Sequence, residues 1–311
     1  MKAGSVIVKR GANKAARVRD KRFSIGLWAG YTVLALICAC CVVPLLYIVA
    51  ISFTEERALA INGYRLIPST FSALAYEFVA SNPSQLINSY TVTISVTIIG
   101  TFISLLVTAM LAYAMSRKYF LLGKKINFAV FFTMIFNVGL VPWYILNVRY
   151  YHLNNTIFSL ILPYLIVPWN VFLFKGFLSE FPDALIEAAR IDGSSEAATF
   201  FRIVLPNCKP ALATVGLFIA FMYWNDWWLG MLYIEKSSLI PLQLMLYRIM
   251  NNIEFLSTSL NTGYISVTTT LFPNESARMA MCVLATGPML IVFPFFQKYF
   301  VKGLTVGAVK G

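Results

Sequence analysis

Six stretches of this chain, residues 25–53, 88–115, 126–148, 154–177, 208–234 and 279–300, stay apolar for the roughly 20 residues that a helix needs to cross a hydrocarbon core about 30 Å thick. No other feature narrows the possible folds so far. In lipid the backbone must satisfy its own hydrogen bonds, which leaves helices or closed barrels, and these runs are continuous rather than alternating. An all-α membrane protein with six transmembrane helices is therefore expected. Only 12% of the residues are charged, against about 25% in soluble domains, which excludes an ordinary soluble protein.

Orientation follows from the basic residues. With the N-terminus inside, 19 of the 25 Lys and Arg fall on the cytoplasmic side, leaving Arg57, Arg65, Arg149, Lys236, Arg248 and Arg278 outside. Positive charge favours the cytoplasmic face, so both termini are expected there. The basic arm of residues 1–24 fits that pattern and contact with anionic membrane lipid; no nucleic-acid partner is expected. A cleaved leader is not expected either, because the first apolar run exceeds the about 7–15 residues of a signal-peptide core.

Enzyme motifs are missing. His152 is the only histidine, so neither a zinc-binding H-E-x-x-H helix nor a Ser-His-Asp triad has its partners. Cys38, Cys40, Cys41, Cys208 and Cys282 form no spaced pairs and read as packing residues. Gly123-Lys124-Lys125 lacks the spacing and the hydroxyl of a phosphate-binding loop. No catalytic residue, metal site or bound cofactor is assigned to this chain, and ATP, if it drives transport, must be bound by another subunit.

One polar island, residues 179–210, can be built from local rules. Pro182 suits the first turn of a helix, Asp183 its positive end, and Ala184 to Arg190 are good helix formers. Gly193 supplies the left-handed position that ends it. Ser194 or Ser195 can cap a second helix with Glu196 in its first turn, and Pro206 limits its continuation beyond Val204. Leu185, Ala188 and Ala189 offer modest apolar groups to a partner, with Glu187, Arg190 and Asp192 at the rim. Two readings follow: a rigid elbow carrying a partner's displacement into the fifth span, or a connection packed on its own bundle.

The spacing of Glu187-Ala188-Ala189, Gly193, Ile203 and Leu205-Pro206 resembles the loop signature of the membrane subunits of binding-protein-dependent ABC importers. Gly139-Leu140-Val141-Pro142 with Tyr144, Leu153-Asn154-Asn155-Thr156, Trp224-Asn225-Asp226 and the stretch Gly303 to Gly311 are similar to the carbohydrate-uptake branch. Tyr233-Ile234, Pro241-Leu242-Gln243, the long outer segment 235–278 and the last span resemble the subgroup serving complex oligosaccharides released from polysaccharides.

That resemblance implies a type I importer permease with the MetI-like fold, its six-helix domain over 25–303, its coupling loop at about 179–206 and a cytoplasmic tail at 304–311. The implied location is the bacterial plasma membrane. Implied partners are a second, homologous permease, two ATP-binding subunits holding ATP and Mg, and an extracellular lipid-anchored or periplasmic solute-binding protein. Glu187, Ala188, Ala189, Asp192, Gly193, Ile203, Leu205 and Pro206 are then expected to couple to the ATPase. The chain would supply half of an oligosaccharide pathway, with an amino acid or peptide as the alternative cargo; a passive channel or a membrane enzyme would have no use for the loop.

Sugars present hydroxyls at their edges and C–H groups on their faces, so a pathway should offer aromatic plates beside amides or carboxylates. Tyr223, Trp224, Asn225, Asp226, Trp227 and Trp228 offer both, at a depth where an interfacial aromatic belt also collects Trp and Tyr. Asp226 at membrane depth needs a partner or a wet cavity. Asn137, Trp143, Tyr144 and Asn170 are further candidates, because Pro142, Pro163 and Pro168 interrupt helices nearby; kinks without ligand contact explain the same prolines.

Overall fold

The computed structural model describes residues 4–261 and 274–306. Among them the regular structure is helical, apart from one isolated bridge between Thr54 and Phe71. The chain forms two compact units, Met1–Tyr76 with Thr270–Ala280, and Glu77–Thr269 with Met281–Gly311.

In the first unit, α1 (Gly4–Ser52) runs without a break through residue 24, so the basic arm continues as helix into the apolar stretch Leu27–Ser52. Nearly all its large side chains from Leu27 to Val49 are exposed, an apolar surface suited to lipid or to another subunit rather than to a core. The segment that follows holds two short helices, α2 (Glu56–Asn62) and α3 (Leu74–Val79). Phe53 packs against Phe71 and Tyr76 at centroid distances of 5.2 and 4.8 Å, and the Ser52 and Tyr76 hydroxyls are bonded at 2.8 Å.

The second unit is organised on α4 (Pro83–Ser116), a 34-residue helix that Asn82 caps by accepting the Gln85 N–H. Ser89, Thr93, Val96, Gly100, Ser104, Thr108 and Ala112 recur every three or four residues along its buried face. Side chains this small let other helices approach closely. A methyl group at Gly100 would lie 2.8 Å from the Tyr223 ring.

Three spans are broken. After α5 (Gly123–Ile135) the chain turns by 116° into α6 (Leu140–Ile145) and the π-helical turn Leu146–Tyr150. Short 3-10 turns over Ile157–Tyr164 meet α7 (Pro168–Ser179) at 52°. Then come α8 (Asp183–Ile191), α9 (Glu196–Thr199), a π-helical turn at Phe200–Val204 and α10 (Leu205–Asn207), which meets α11 (Lys209–Trp224) at 85°. The unit continues through α12 (Trp228–Tyr233) and α13 (Leu242–Asn261), and α14 (Glu275–Val306) closes the chain. By length and composition the three long apolar helices Leu27–Ser52, Pro83–Ser116 and Glu275–Phe295 and the three bent pairs allow up to six crossings, the last bent pair contributing α11.

The apolar windows therefore find the spans but not their bends. Run 126–148 breaks at Asn137-Val138-Gly139, where Gly139 has φ 84° and its N–H is taken by the Asn137 side chain. Helix α13 escapes such windows, because its apolar Leu242, Met245, Ile249 and Ile253 form a single stripe. Residues 262–273 of the expected outer segment, and the C-terminal motif beyond Val306, lie outside the described residues.

Broken backbone at membrane depth needs other hydrogen-bond partners, and α4 supplies several. Pro288 removes the N–H that would bond the Leu284 carbonyl, and the Tyr90 hydroxyl donates there at 2.9 Å. Ser104 Oγ donates to Leu165 O at 2.8 Å beside the break before Pro168. Just past Pro241, Thr93 Oγ1 accepts the Leu242 N–H at 2.8 Å.

Candidate functional site

The two ends of α11 carry the two groups of candidate residues. At its start, α8 ends as the sequence requires: Gly193 has φ 76°, its N–H bonds Arg190 O at 3.0 Å, and Ser194 N–H bonds Ala189 O at 2.9 Å. These crossed bonds form a Schellman closure. Of the two candidate caps, Ser195 is the one used, accepting the Ala198 N–H at 3.2 Å. Pro182 stands at the cap position, one residue before α8. Pro206 does not end the helix at Val204, since helical backbone continues to Asn207 behind the π-helical turn Phe200–Val204. The wide turn shifts the hydrogen-bond register just where the proline lacks its N–H.

Polar contacts fasten this elbow to the end of α4. Asp183 pairs with Lys118 at 3.2 Å and Arg117 at 3.8 Å. Glu196 accepts from Arg190 Nε at 2.9 Å and from the Tyr113 hydroxyl at 2.8 Å, and the Arg117 and Arg190 guanidinium groups lie 5.0 Å from the Tyr113 and Tyr119 rings. Partial burial works against ionised Glu196, but the Tyr113 and Arg190 hydrogen bonds outweigh it and hold the carboxyl below the ordinary range. The hydrogen bond to Glu196 likewise raises Arg190 above its ordinary value.

On α8, Ile186 and Ala189 turn inward and are buried, while Leu185, Ala188 and Ile191 form an exposed strip with Ile191 86% exposed. The sequence placed Ala189 with Ala188 on the partner side. Successive helical residues are rotated by about 100°, so Ala189 falls beside Ile186 instead and Ile191 takes its place. Glu187, Asp192, Gly193 and Pro206 are exposed, and Ile203 and Leu205 half-buried. Nothing lies within 4 Å of a side chain built on Gly193, so φ rather than crowding demands the glycine.

Beyond the other end of α11, most of the candidate polar atoms are engaged within the protein. Tyr223 donates to Ile161 O and Trp224 Nε1 to Ala285 O, both at 2.9 Å. Asp226 accepts from the Tyr164 hydroxyl at 3.1 Å and from Leu229 N–H at 3.2 Å, joining the first turn of α12 to the broken fourth span. Trp227 stacks on Tyr247 at 4.5 Å and Tyr144 on Tyr233 at 5.7 Å. Asn170 is buried, whereas Asn137, Trp143, Tyr144, Asn225 and Trp228 keep exposed surface. Asn155 enters the sequence reading only as part of a family motif; in the structure it has φ 54° and accepts the Glu235 and Lys236 N–H groups at 2.7 and 3.0 Å. Asparagine's tolerance of positive φ was the available signal.

A bundle of long and bent apolar helices, with a braced polar elbow between two of them, defines an all-helical membrane protein. The chain belongs to the family of binding-protein-dependent transport system inner membrane components, whose profile matches residues 119–306. It is similar to protein LplC of Bacillus subtilis strain 168, with 38% identity covering 87% of this chain and 90% of that protein. The polygalacturonan/rhamnogalacturonan transport system permease YtcP of the same strain is 34% identical over 94% of this chain and all of its own length. A crystal structure of a bacterial ABC transporter involved in the import of the acidic polysaccharide alginate contains a chain superimposing with a TM-score of 0.74 at 28% identity, over 91% of this chain and 98% of that one. This protein is thus an ABC-transporter permease of the expected fold, a transport subunit rather than an enzyme.

Proposed function

We propose that this permease forms half of the translocation pathway of an ATP-driven importer for oligosaccharides released from polysaccharides. The elbow of α8 to α10 faces the cytoplasm, as the distribution of Lys and Arg requires, and both termini lie on that side. The exposed Leu185, Ala188 and Ile191 strip carries this reading: the elbow is too well braced to be a slack connection, yet among the described residues its outer apolar edge stays exposed. An ATP-binding subunit seated there would move the elbow as a rigid body and, through the turn at Cys208, tilt α11.

Two such ATPase subunits hold ATP and Mg, a second homologous permease completes the pathway, and an extracellular solute-binding protein delivers the cargo. A carbohydrate cargo is supported by relatives named for polygalacturonan and rhamnogalacturonan and, at 29% identity, for arabinooligosaccharides. Within the pathway, Asn225, Trp228, Asn137, Trp143 and Tyr144 have surface to offer a sugar. Reconstitution with the partner subunits and binding protein should give ATP-dependent uptake of pectin- or hemicellulose-derived oligosaccharides. ATP-dependent uptake of peptides but of no carbohydrate would overturn the cargo assignment.

A further inference from the structure

We propose that a recess at the outer end of the second unit binds a carboxylate-bearing sugar residue, with Arg248 as the anion anchor; the proposal rests on the oligosaccharide-importer reading above. The recess has a volume of about 230 Å³ between the start of α4 and α13. That is below the about 300–1,000 Å³ of pockets for drug-sized ligands and suits one or two sugar rings. It belongs to neither group of candidate residues at the ends of α11.

Its chemistry is selective. Arg248 lines the recess from α13, and its Nη2 donates to Ile234 O at 3.3 Å. A guanidinium carries five N–H donors in a planar fork that matches a carboxylate. No acidic side chain is among the described residues lining the recess, so an incoming anion meets no opposing charge there. Asn82, Gln85 and Asn252 surround the arginine with amides. The Asn82 oxygen caps α4, which turns its amino group to other acceptors, while the Gln85 amino group bonds Ser237 O at 3.0 Å and leaves its oxygen as an acceptor. Donors and acceptors in mixture suit sugar hydroxyls, and Met245 and Ile240 supply apolar surface for a C–H face. On the outer side such a site would receive one uronate unit as the binding protein releases its cargo.

The test uses the assembled transporter in proteoliposomes with its binding protein, and trigalacturonate and a neutral galacto-oligosaccharide as probes. Replacing Arg248 by Gln should lower trigalacturonate uptake about 10-fold or more, the loss of a charge-assisted hydrogen bond, with neutral uptake unchanged. Arg248→Lys should recover part of it, because the charge returns without the fork. The binding-protein concentration giving half-maximal ATPase stimulation should not move. A shift in that concentration would make the recess a socket for the binding protein and overturn the proposal, as would equal losses for both probes or no loss. A wild-type transporter that imports neutral oligosaccharides and no uronate overturns the uronate site alone, whereas one importing no carbohydrate sinks the importer reading itself.

Discussion

The two ends of α11 solve opposite problems. Ahead of it, the elbow satisfies its polar groups locally, through a Schellman closure, a serine cap and ion pairs to the end of α4, and leaves an apolar edge bare. Behind it, the Trp-Asn-Asp turn buries its aromatic surface and engages most of its polar atoms with neighbouring backbone. An apolar strip left exposed in a polar loop points to a partner. A polar residue at membrane depth does not by itself point to a ligand, because broken helices create their own demand for donors and acceptors.

Breaking the contrast at the elbow should have the largest effect. Ile191→Asp should cost about 2 kcal/mol or more of docking to the ATPase, roughly 30-fold or more in coupled uptake, as for an interface hot spot. Its solvent-facing position should keep the chain's own stability within about 0.5 kcal/mol, measured by thermal denaturation in detergent. Gly193→Asp should likewise insert normally yet uncouple ATP hydrolysis from uptake, since it sets a charged side chain beside the exposed apolar strip, with less left-handed strain than most residues would bring.

At the other end the signature inverts. Asp226→Ala leaves the Tyr164 hydroxyl and Leu229 N–H without their acceptor, so stability should fall by about 1–3 kcal/mol and transport with it. Lost transport at unchanged stability would instead make Asp226 a pathway residue. Trp224→Phe should cost less, about 0.6 kcal/mol, the mean for such bonds between membrane helices. Asn225→Ala should leave stability intact and raise the apparent KM for sugar, because its amide is exposed and, among the described residues, bonds Phe221 O one turn back.

The smallest effect concerns pH. Glu196 has its folded value depressed, so its contribution is fully present above the unfolded value and fades as pH falls through the folded one. Hydrogen exchange of the α9 amides should therefore be insensitive between pH 8 and about 5 and lose protection below about pH 4, after correction for intrinsic rates. A Glu196→Gln variant should abolish that dependence.

These contrasts also explain what the sequence could reveal. Composition and run length give a six-span helical protein, and the Glu187 to Pro206 spacing gives its family, because both are local patterns. The elbow was legible almost residue by residue: Gly193 and a serine cap act on neighbours within a few positions. Pro142, Pro163 and Pro168 marked interruptions of the third and fourth spans, but the turn at Gly139 and the break at Asn225 were not legible, since hydropathy windows carry no direction. Least visible were the partners of Tyr90, Ser104 and Trp224, each bonding backbone about 60 to 190 residues away, a pairing that only the packed bundle creates. The inward turn of Ala189 lay between these cases, as helical rotation alone could have separated it from Ala188.

The most direct test is photo-crosslinking from a benzophenone amino acid at position 191 in the assembled transporter. The account predicts a covalent adduct between this chain and the ATP-binding subunit, in high yield. An intact, transport-competent complex in which position 191 reacts only with lipid, solvent or its own chain would contradict it.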